Sequence, residues 1–259
     1  MSAEVDQEES IEDSRAPLVA HLTELRRRLL YSVGTLLVLF AFFCFFATDI
    51  FNFLVQPFRD AYGADAKLIY TAPQEKFMTN LKVAMFAAFF MSFPVIEIQI
   101  WKFIEPGLYH TEKKVFWPYL VATPVLFLIG ALMVYYFIWP MAMSFFISFE
   151  QTGADIANIE ILPKVNEYLG LIMLLIFAFG LCFQLPVVLT LLARAGLVSA
   201  DQLVAGRKYA IVGIFAAAAI LTPPDFISQI GLGVPTVLLY EVSIFMARRV
   251  EQRREEEAA

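Results

Sequence analysis

The chain has 259 residues, of which 59% are hydrophobic, 15% aromatic and only 17% charged, with 26 phenylalanines. Soluble domains run near 45–50% apolar and about 25% charged, so this composition excludes a soluble α/β enzyme, a disordered chain and a disulfide scaffold. The net charge of −6 is concentrated at the ends, with six acids in residues 1–13 and four in residues 250–259. Like-charge blocks with few apolar residues read as solvated, flexible tails. They flank one membrane domain over residues 14–249 whose body is close to neutral.

The acidic opening lacks the basic stretch and short apolar run of a signal peptide. Leu18, Leu22, Leu25 and Leu29 then recur at helical spacing and make an amphipathic helix, with Pro17 suited to its first turn. Glu24 and Arg28 stand four apart on it, a pair worth about 0.3–0.5 kcal/mol. A bilayer core takes about 20 apolar residues as helix. Leu29–Ala47 is uncharged and qualifies as the first span. A substantial outer loop with Pro57 and Pro73 follows. Phe77–Ile96 is the second span, with Lys82 able to snorkel at one end. Val115–Ile138 is the third, followed by a second outer loop from about Trp139 to Glu167. Tyr168–Ala193 is the fourth. Tyr209–Leu221 reaches only about 20 Å against a core of about 30 Å, so it is either half of a re-entrant hairpin or a crossing of a thinned bilayer. Ile230–Ala247 completes the set and carries Glu241, a costly residue at membrane depth and so a functional candidate.

Of the 19 Lys and Arg residues, 14 fall on one side of these spans. The positive-inside rule puts that side, and both termini, in the cytoplasm. Trp101, Trp117 and Trp139 sit near expected interfaces as aromatic anchors. Cys44 and Cys182 lie in apolar runs and read as buried small hydrophobes.

Catalytic chemistry is sparse. No Gly precedes a Lys, which removes a Walker phosphate loop. The two histidines, His21 and His110, lie outside the spans, so an intramembrane hydrolase has no base at depth. Two distant His and two Cys offer no metal cluster. Neither an enzyme, a cofactor, a metal nor a nucleic-acid partner is expected. A secondary transporter of a small solute is the alternative to a receptor, but the repeat symmetry it predicts is not visible.

Three segments stand out. Leu18–Leu29 contains Glu24, Arg26 and the Arg27–Arg28 pair. The loop after the second span reads Pro94-x4-Gln99-x-Trp101-x-Phe103-Ile104-x-Pro106-x-Leu108-Tyr109-x2-Glu112. There a first-turn acid beside a Thr cap accounts for Glu112, yet a carboxylate near Phe103 would also suit a basic and apolar peptide. The turn before the last span reads Leu221-Thr222-Pro223-Pro224-Asp225-x2-Ser228-Gln229. With Phe179-Gly180-x2-Phe183-Gln184-x-Pro186, these segments closely resemble the TatC family, the C subunit of the twin-arginine protein translocase, over roughly Leu18–Arg249.

The resemblance implies an all-α integral membrane fold of six helices in a curved, concave wall, with short fifth and sixth helices and cytoplasmic termini. It implies a receptor in the bacterial cytoplasmic membrane that binds twin-arginine signal peptides of folded cargo, works with TatA and TatB subunits, forms homo-oligomers within the receptor complex, and is driven by the proton motive force. Carried over by motif, Glu112 and Phe103 form the signal site, beside Glu24, Arg26 and Leu18. Gln184 stands where many relatives carry Glu; it can hydrogen-bond but not titrate. Gln184, Thr222, Gln229 and Glu241 are the polar positions for partner helices, and Pro57, Pro94, Pro106, Tyr109, Pro223, Pro224 and Asp225 are structural. Pro124 and Pro186 are placed to bend their spans.

Overall fold

The structure is a computed structural model that describes the backbone of residues 2–63, 66–104, 113–151, 159–222 and 225–258, and the side chains within 21–63, 66–103, 119–151, 159–222 and 225–252. The elements are α1 (Ser2–Phe45), α2 (Ala47–Tyr62), α3 (Glu75–Ile104), α4 (Lys113–Met133), a π-helical turn (Val134–Ile138), α5 (Trp139–Ile147), α6 (Val165–Cys182), α7 (Leu185–Arg194), α8 (Ala200–Leu221) and α9 (Phe226–Ala258). Among the described residues there is no sheet, only two isolated bridges. Among the described residues six segments are long and apolar enough to cross a membrane: His21–Phe45, Glu75–Phe103, Tyr119–Ile147, Val165–Arg194, Ala200–Leu221 and Phe226–Gln252.

The six spans form an open wall. At one edge α1 packs on α3, which leans in turn on α4 and α6; at the other, α8 packs on α9, which leans on α7. Burial follows this order, from 0% of the first span's apolar window and 11% of the fifth's to 61% of the fourth's. Large apolar side chains left on the outer faces, such as Val38, Ile220 and Phe137, are exposed. On lipid-facing helices such residues meet acyl chains rather than water.

Several sequence expectations change here. The first outer loop contains a helix, α2, whose buried side includes Leu54, Val55, Pro57 and Phe58. Pro57 removes the N–H that would bond the Phe53 carbonyl four residues back, and the Tyr135 hydroxyl donates to that carbonyl instead, at 2.7 Å. The third span does not stop near Ile138 but continues to Ile147. Pro140 therefore lies in a helix rather than a loop. Its missing N–H sits immediately after the π-helical turn, in which the Trp139 N–H reaches back to the Val134 carbonyl. A widened turn is the usual accommodation where a proline breaks the i to i−4 ladder. Trp139 is no interface anchor: it is fully buried, and its indole N–H donates to the Tyr168 hydroxyl at 2.8 Å. Cys44 is exposed on the free face of α1, and Cys182 is half-buried.

The fourth span breaks where Pro186 opens α7 after a turn at Phe183 and Gln184. The fifth gains length from its N-terminal side. A capping box between Ser199 and Gln202 starts α8 at Ala200, so the thirteen-residue apolar run is the second half of a 22-residue helix about 33 Å long. It is the shortest of the six spans, yet long enough to cross, which makes the re-entrant hairpin unnecessary.

The centre of the wall is packed closely. A Cβ on Gly130 would lie 2.8 Å from the Phe179 carbonyl oxygen, and one on Gly180 would lie 2.5 Å from the Phe127 ring. These two glycines let α4 and α6 approach backbone to backbone. The end of the wall away from the arginines of α1 is cross-tied: Ile69 N and Val165 N bond Pro163 O and Ile69 O, Tyr62 donates to Glu150, and Asn166 meets both Glu75 and Lys82.

Candidate functional site

At the basic end, α1 and α3 bring two of the sequence motifs together. Residues 21, 24 and 28 are three and four apart, so they share one face of α1. The His21 ring stacks on Phe103 with centroids 4.4 Å apart. Glu24 Oε1 accepts from Arg28 Nη2 at 2.9 Å, and Arg28 Nη1 donates to Gln99 Oε1 at 3.3 Å. The Glu24 and Arg28 side chains are partly exposed, at 32% and 25%. This is a solvent-reachable patch in which a stacked aromatic pair adjoins a carboxylate and an amide oxygen. Such a patch can accept a cationic fork with a neighbouring apolar group.

Of the residues expected here, Glu24 and Phe103 lie in this patch. Arg26 does not: with Thr23, Arg27, Leu30 and Tyr31 it lines a concavity on another face of α1. Glu112, Pro106 and Tyr109, the side chain of Leu18, and Pro223 and Pro224 lie outside the described residues. The sequence reading also missed His21 and Gln99 as contributors. The spacing of His21 with Glu24 and Arg28 was the available signal.

A second polar group lies deeper. Glu97 is 6% exposed, and its Oε1 accepts from Trp101 Nε1 at 2.9 Å. Ending the second span at Ile96 had placed Glu97 outside it, whereas α3 continues to Ile104. The i, i+4 spacing of Glu97 and Trp101 was a usable sign. Thr123 of α4 lies beside Glu97, and its carbonyl accepts from Gln184 Nε2 at 3.1 Å. Gln184 also donates to Gly180 O at 3.3 Å and is buried. It pins the break in the fourth span to α4.

Several of the remaining candidates have partners within the chain. Thr222 is buried and its hydroxyl donates to Ala218 O at 2.9 Å. Asp225 caps α9, its Oδ1 accepting from Ser228 N at 2.7 Å. Gln229 is half-buried on the next position, and Pro94 is half-buried inside α3. Glu241 is not isolated at membrane depth: it holds Arg207 of α8 through two contacts of 2.6 and 2.8 Å, with both side chains partly exposed. Tyr240 donates to Leu203 O at 2.7 Å, and Glu251 accepts from Ala200 N at 2.8 Å at the start of α8. Among the described residues no three His, Cys, Asp or Glu side chains converge on a metal-sized space.

Six apolar helices in one open wall, with two spans broken at prolines, define a multi-pass α-helical membrane protein. Residues 20–235 match the family described as Sec-independent protein translocase protein (TatC). A TatC of Magnetococcus marinus is 48% identical over 247 residues, covering 95% of this chain and 89% of that one. A TatC of Escherichia coli is 34% identical over 239 residues, covering 92% and 90%. A crystal structure described as the twin arginine translocase receptor TatC superposes with a TM-score of 0.77 at 35% identity, over 89% of this chain and 99% of that one. The chain belongs to the TatC family. It is a component of a protein translocase rather than an enzyme, which displaces the solute-transporter alternative.

Proposed function

We propose that this chain is the receptor subunit of a twin-arginine translocase, binding the signal peptides of folded cargo at the basic end of α1 and α3. The observation that carries the reading is the joined patch of His21, Glu24, Arg28, Gln99 and Phe103. Its chemistry suits an arginine pair followed by apolar residues. A guanidinium presents a planar fork to a carboxylate, whereas Lys offers a point charge. Each charge-assisted bond is worth about 1.5–3 kcal/mol. With Glu112 as a second carboxylate, the site favours Arg-Arg over Lys-Lys. The superposed relative, described as a receptor, supports the same assignment.

On this reading the patch and both acidic termini face the cytoplasm, in keeping with the lysine and arginine asymmetry, and membership of the family supports a place in the bacterial inner membrane. TatA and TatB are the partner subunits, with further copies of this chain in the receptor complex, and the proton motive force drives export. Gln229, half-buried near the start of α9, is the polar position offered to partner helices. The glutamine at 184 does not titrate, so no proton step is assigned to it.

The test uses purified full-length chain in nanodiscs and a signal peptide carrying a photo-crosslinker. Arg-Arg peptide should crosslink near Phe103 much more strongly than its Lys-Lys counterpart, and Glu112→Lys should abolish both binding and export while the protein still inserts. Equal yields for the two peptides, or normal export by Glu112→Lys, would sink the assignment. Crosslinks from Gln229 to a single-span partner would support partner docking there; contact with lipid alone would remove it.

A further inference from the structure

The three consecutive arginines of α1 do not share one role. Arg28 turns inward to Glu24 and Gln99. Arg26 and Arg27 are exposed, and among the described residues neither has an acidic partner. With Thr23, Leu30 and Tyr31 they line an open surface concavity of about 440 Å³, where the Arg27 guanidinium lies 5.8 Å from the Tyr31 ring centroid.

An apolar lane leads away from this cradle along the same face of α1. Leu30, Leu37 and Val38 stand at helical spacing around Gly34, and all three are exposed, Val38 at 71%. A Cβ on Gly34 would meet nothing within 4 Å. The glycine is therefore a notch bordered by Leu30 four residues before it and by Leu37 and Val38 three and four after it. From Arg27 to Val38 the helix rises about 16 Å, the depth of one leaflet in a core of about 30 Å.

A cationic cradle at the interface, continuous with an apolar lane one leaflet deep, has the shape and charge of one class of ligand. The geometry points to a binding site for an anionic phospholipid, its phosphate held by Arg26 and Arg27 and one acyl chain laid over Gly34 between Leu30, Leu37 and Val38. The occupant is a lipid rather than a protein helix because the first span's apolar window is unburied throughout, while among the described residues Arg26 and Arg27 meet no carboxylate. Free phosphate shares the headgroup chemistry but makes no use of the lane.

The full chain, delipidated in detergent, is offered phosphatidylglycerol or phosphatidylcholine with matched acyl chains, and retained lipid is read by native mass spectrometry. The wild type should retain phosphatidylglycerol over phosphatidylcholine by about 25-fold, from two arginines each contributing about fivefold at an anionic surface. Arg26→Gln with Arg27→Gln should bring that ratio close to one. Gly34→Leu fills a notch that touches nothing else, so it should lower retention of both lipids while leaving the unfolding temperature unchanged. Equal retention of the two lipids by the wild type, or an undiminished preference in the double variant, would overturn the site. So would displacement of the lipid by inorganic phosphate, or protection of Arg27 and Gly34 by an acidic partner helix instead of lipid. Signal-peptide binding by the Gly34→Leu protein, measured on the same sample, reports on the α1–α3 patch separately.

Discussion

Replacing Glu24 with Gln separates the two roles that its position allows. In the free protein Glu24 makes one contact with Arg28, at 2.9 Å on a partly exposed surface. An i, i+4 pair of that kind is worth about 0.3–0.5 kcal/mol after solvent screening, and the amide oxygen of Gln can still accept from Arg28. The unfolding temperature should therefore fall by no more than about 1–2 °C in a chain of this size. Binding is a different matter. An arginine of the signal peptide would exchange a charge-assisted bond, about 1.5–3 kcal/mol, for a neutral one of about 0.5–1.5 kcal/mol. The net loss of about 1–2 kcal/mol is a weakening of roughly 5- to 30-fold. Fluorescence anisotropy of a labelled signal peptide against nanodisc-embedded protein gives the affinity, and differential scanning fluorimetry of the same preparation gives the stability. The gap between parent and Glu24→Gln should also narrow as salt is raised, since the lost term is Coulombic. Affinity within twofold of the parent would refute a carboxylate readout at Glu24. A drop of about 5 °C or more, with affinity falling in step, would refute the division between a weak structural pair and a strong binding contact.

The wall itself offers three more tests. Gly130→Ala should cost about 1–3 kcal/mol, because its Cβ would meet the Phe179 backbone, which cannot yield; Gly170→Ala, with nothing within 4 Å, should be neutral, and equal unfolding temperatures would discount close helix approach. Tyr168→Phe leaves the buried Trp139 N–H without its acceptor and should cost about 1–3 kcal/mol, more than Tyr135→Phe, which strands only a carbonyl; the reverse order in thermal unfolding would contradict the network. Glu241→Gln should lose under about 1 kcal/mol given its exposure, and the exchange Arg207→Glu with Glu241→Arg should recover it; failure of the exchange to recover stability would argue for a role of Glu241 beyond the α8–α9 pair.

The sequence was most informative where a physical constraint acts over many residues. Twenty apolar residues in a row admit few alternatives to a membrane helix, so the number of spans and their order were legible. The errors lie where tertiary contacts outweigh local signals. Pro140 and Trp139 looked like the end of a helix at an interface, yet a π-helical turn absorbs the proline and the Tyr168 hydroxyl satisfies the indole. Pro57 suggested a loop, as Pro73 rightly did between α2 and α3, but α2 persists because Tyr135 supplies the donor that Pro57 lacks. Glu241 looked isolated because Arg207 is distant in sequence, though it faces Glu241 across the α8–α9 hairpin. At the site, spacing on α1 grouped Glu24 with Arg28, but only the crossing of α1 and α3 could join them to Gln99 and Phe103. That Arg26 faces elsewhere follows from the 100° step between neighbouring helical residues, which the motif reading had passed over.

The cross-ties at the end away from the arginines are unevenly matched. There, strut follows strut from α2 and α3 to the third and fourth spans and the segment joining them: Tyr62 to Glu150, Tyr135 to Phe53 O, and Asn166 to Glu75 and Lys82. Toward the basic end the described ties are sparser: α1 to α3, α8 to α9, and Gln184 to the Thr123 carbonyl of α4. Among the described residues the wall is thus more densely cross-tied along one rim than along the other, like a hand fan. With 30 residues in α3, its length is about 45 Å, and a tilt of about 5° pivoting on the densely tied rim moves the other rim by about 4 Å. That is roughly the reach of one side-chain contact, so small rotations suffice to change the spacing between α1–α3 and α8–α9 at that rim. Spin labels placed at matched heights on α3 and α9 should show distance distributions that broaden toward the arginine end; equal widths at both rims would mean the wall moves as a plate.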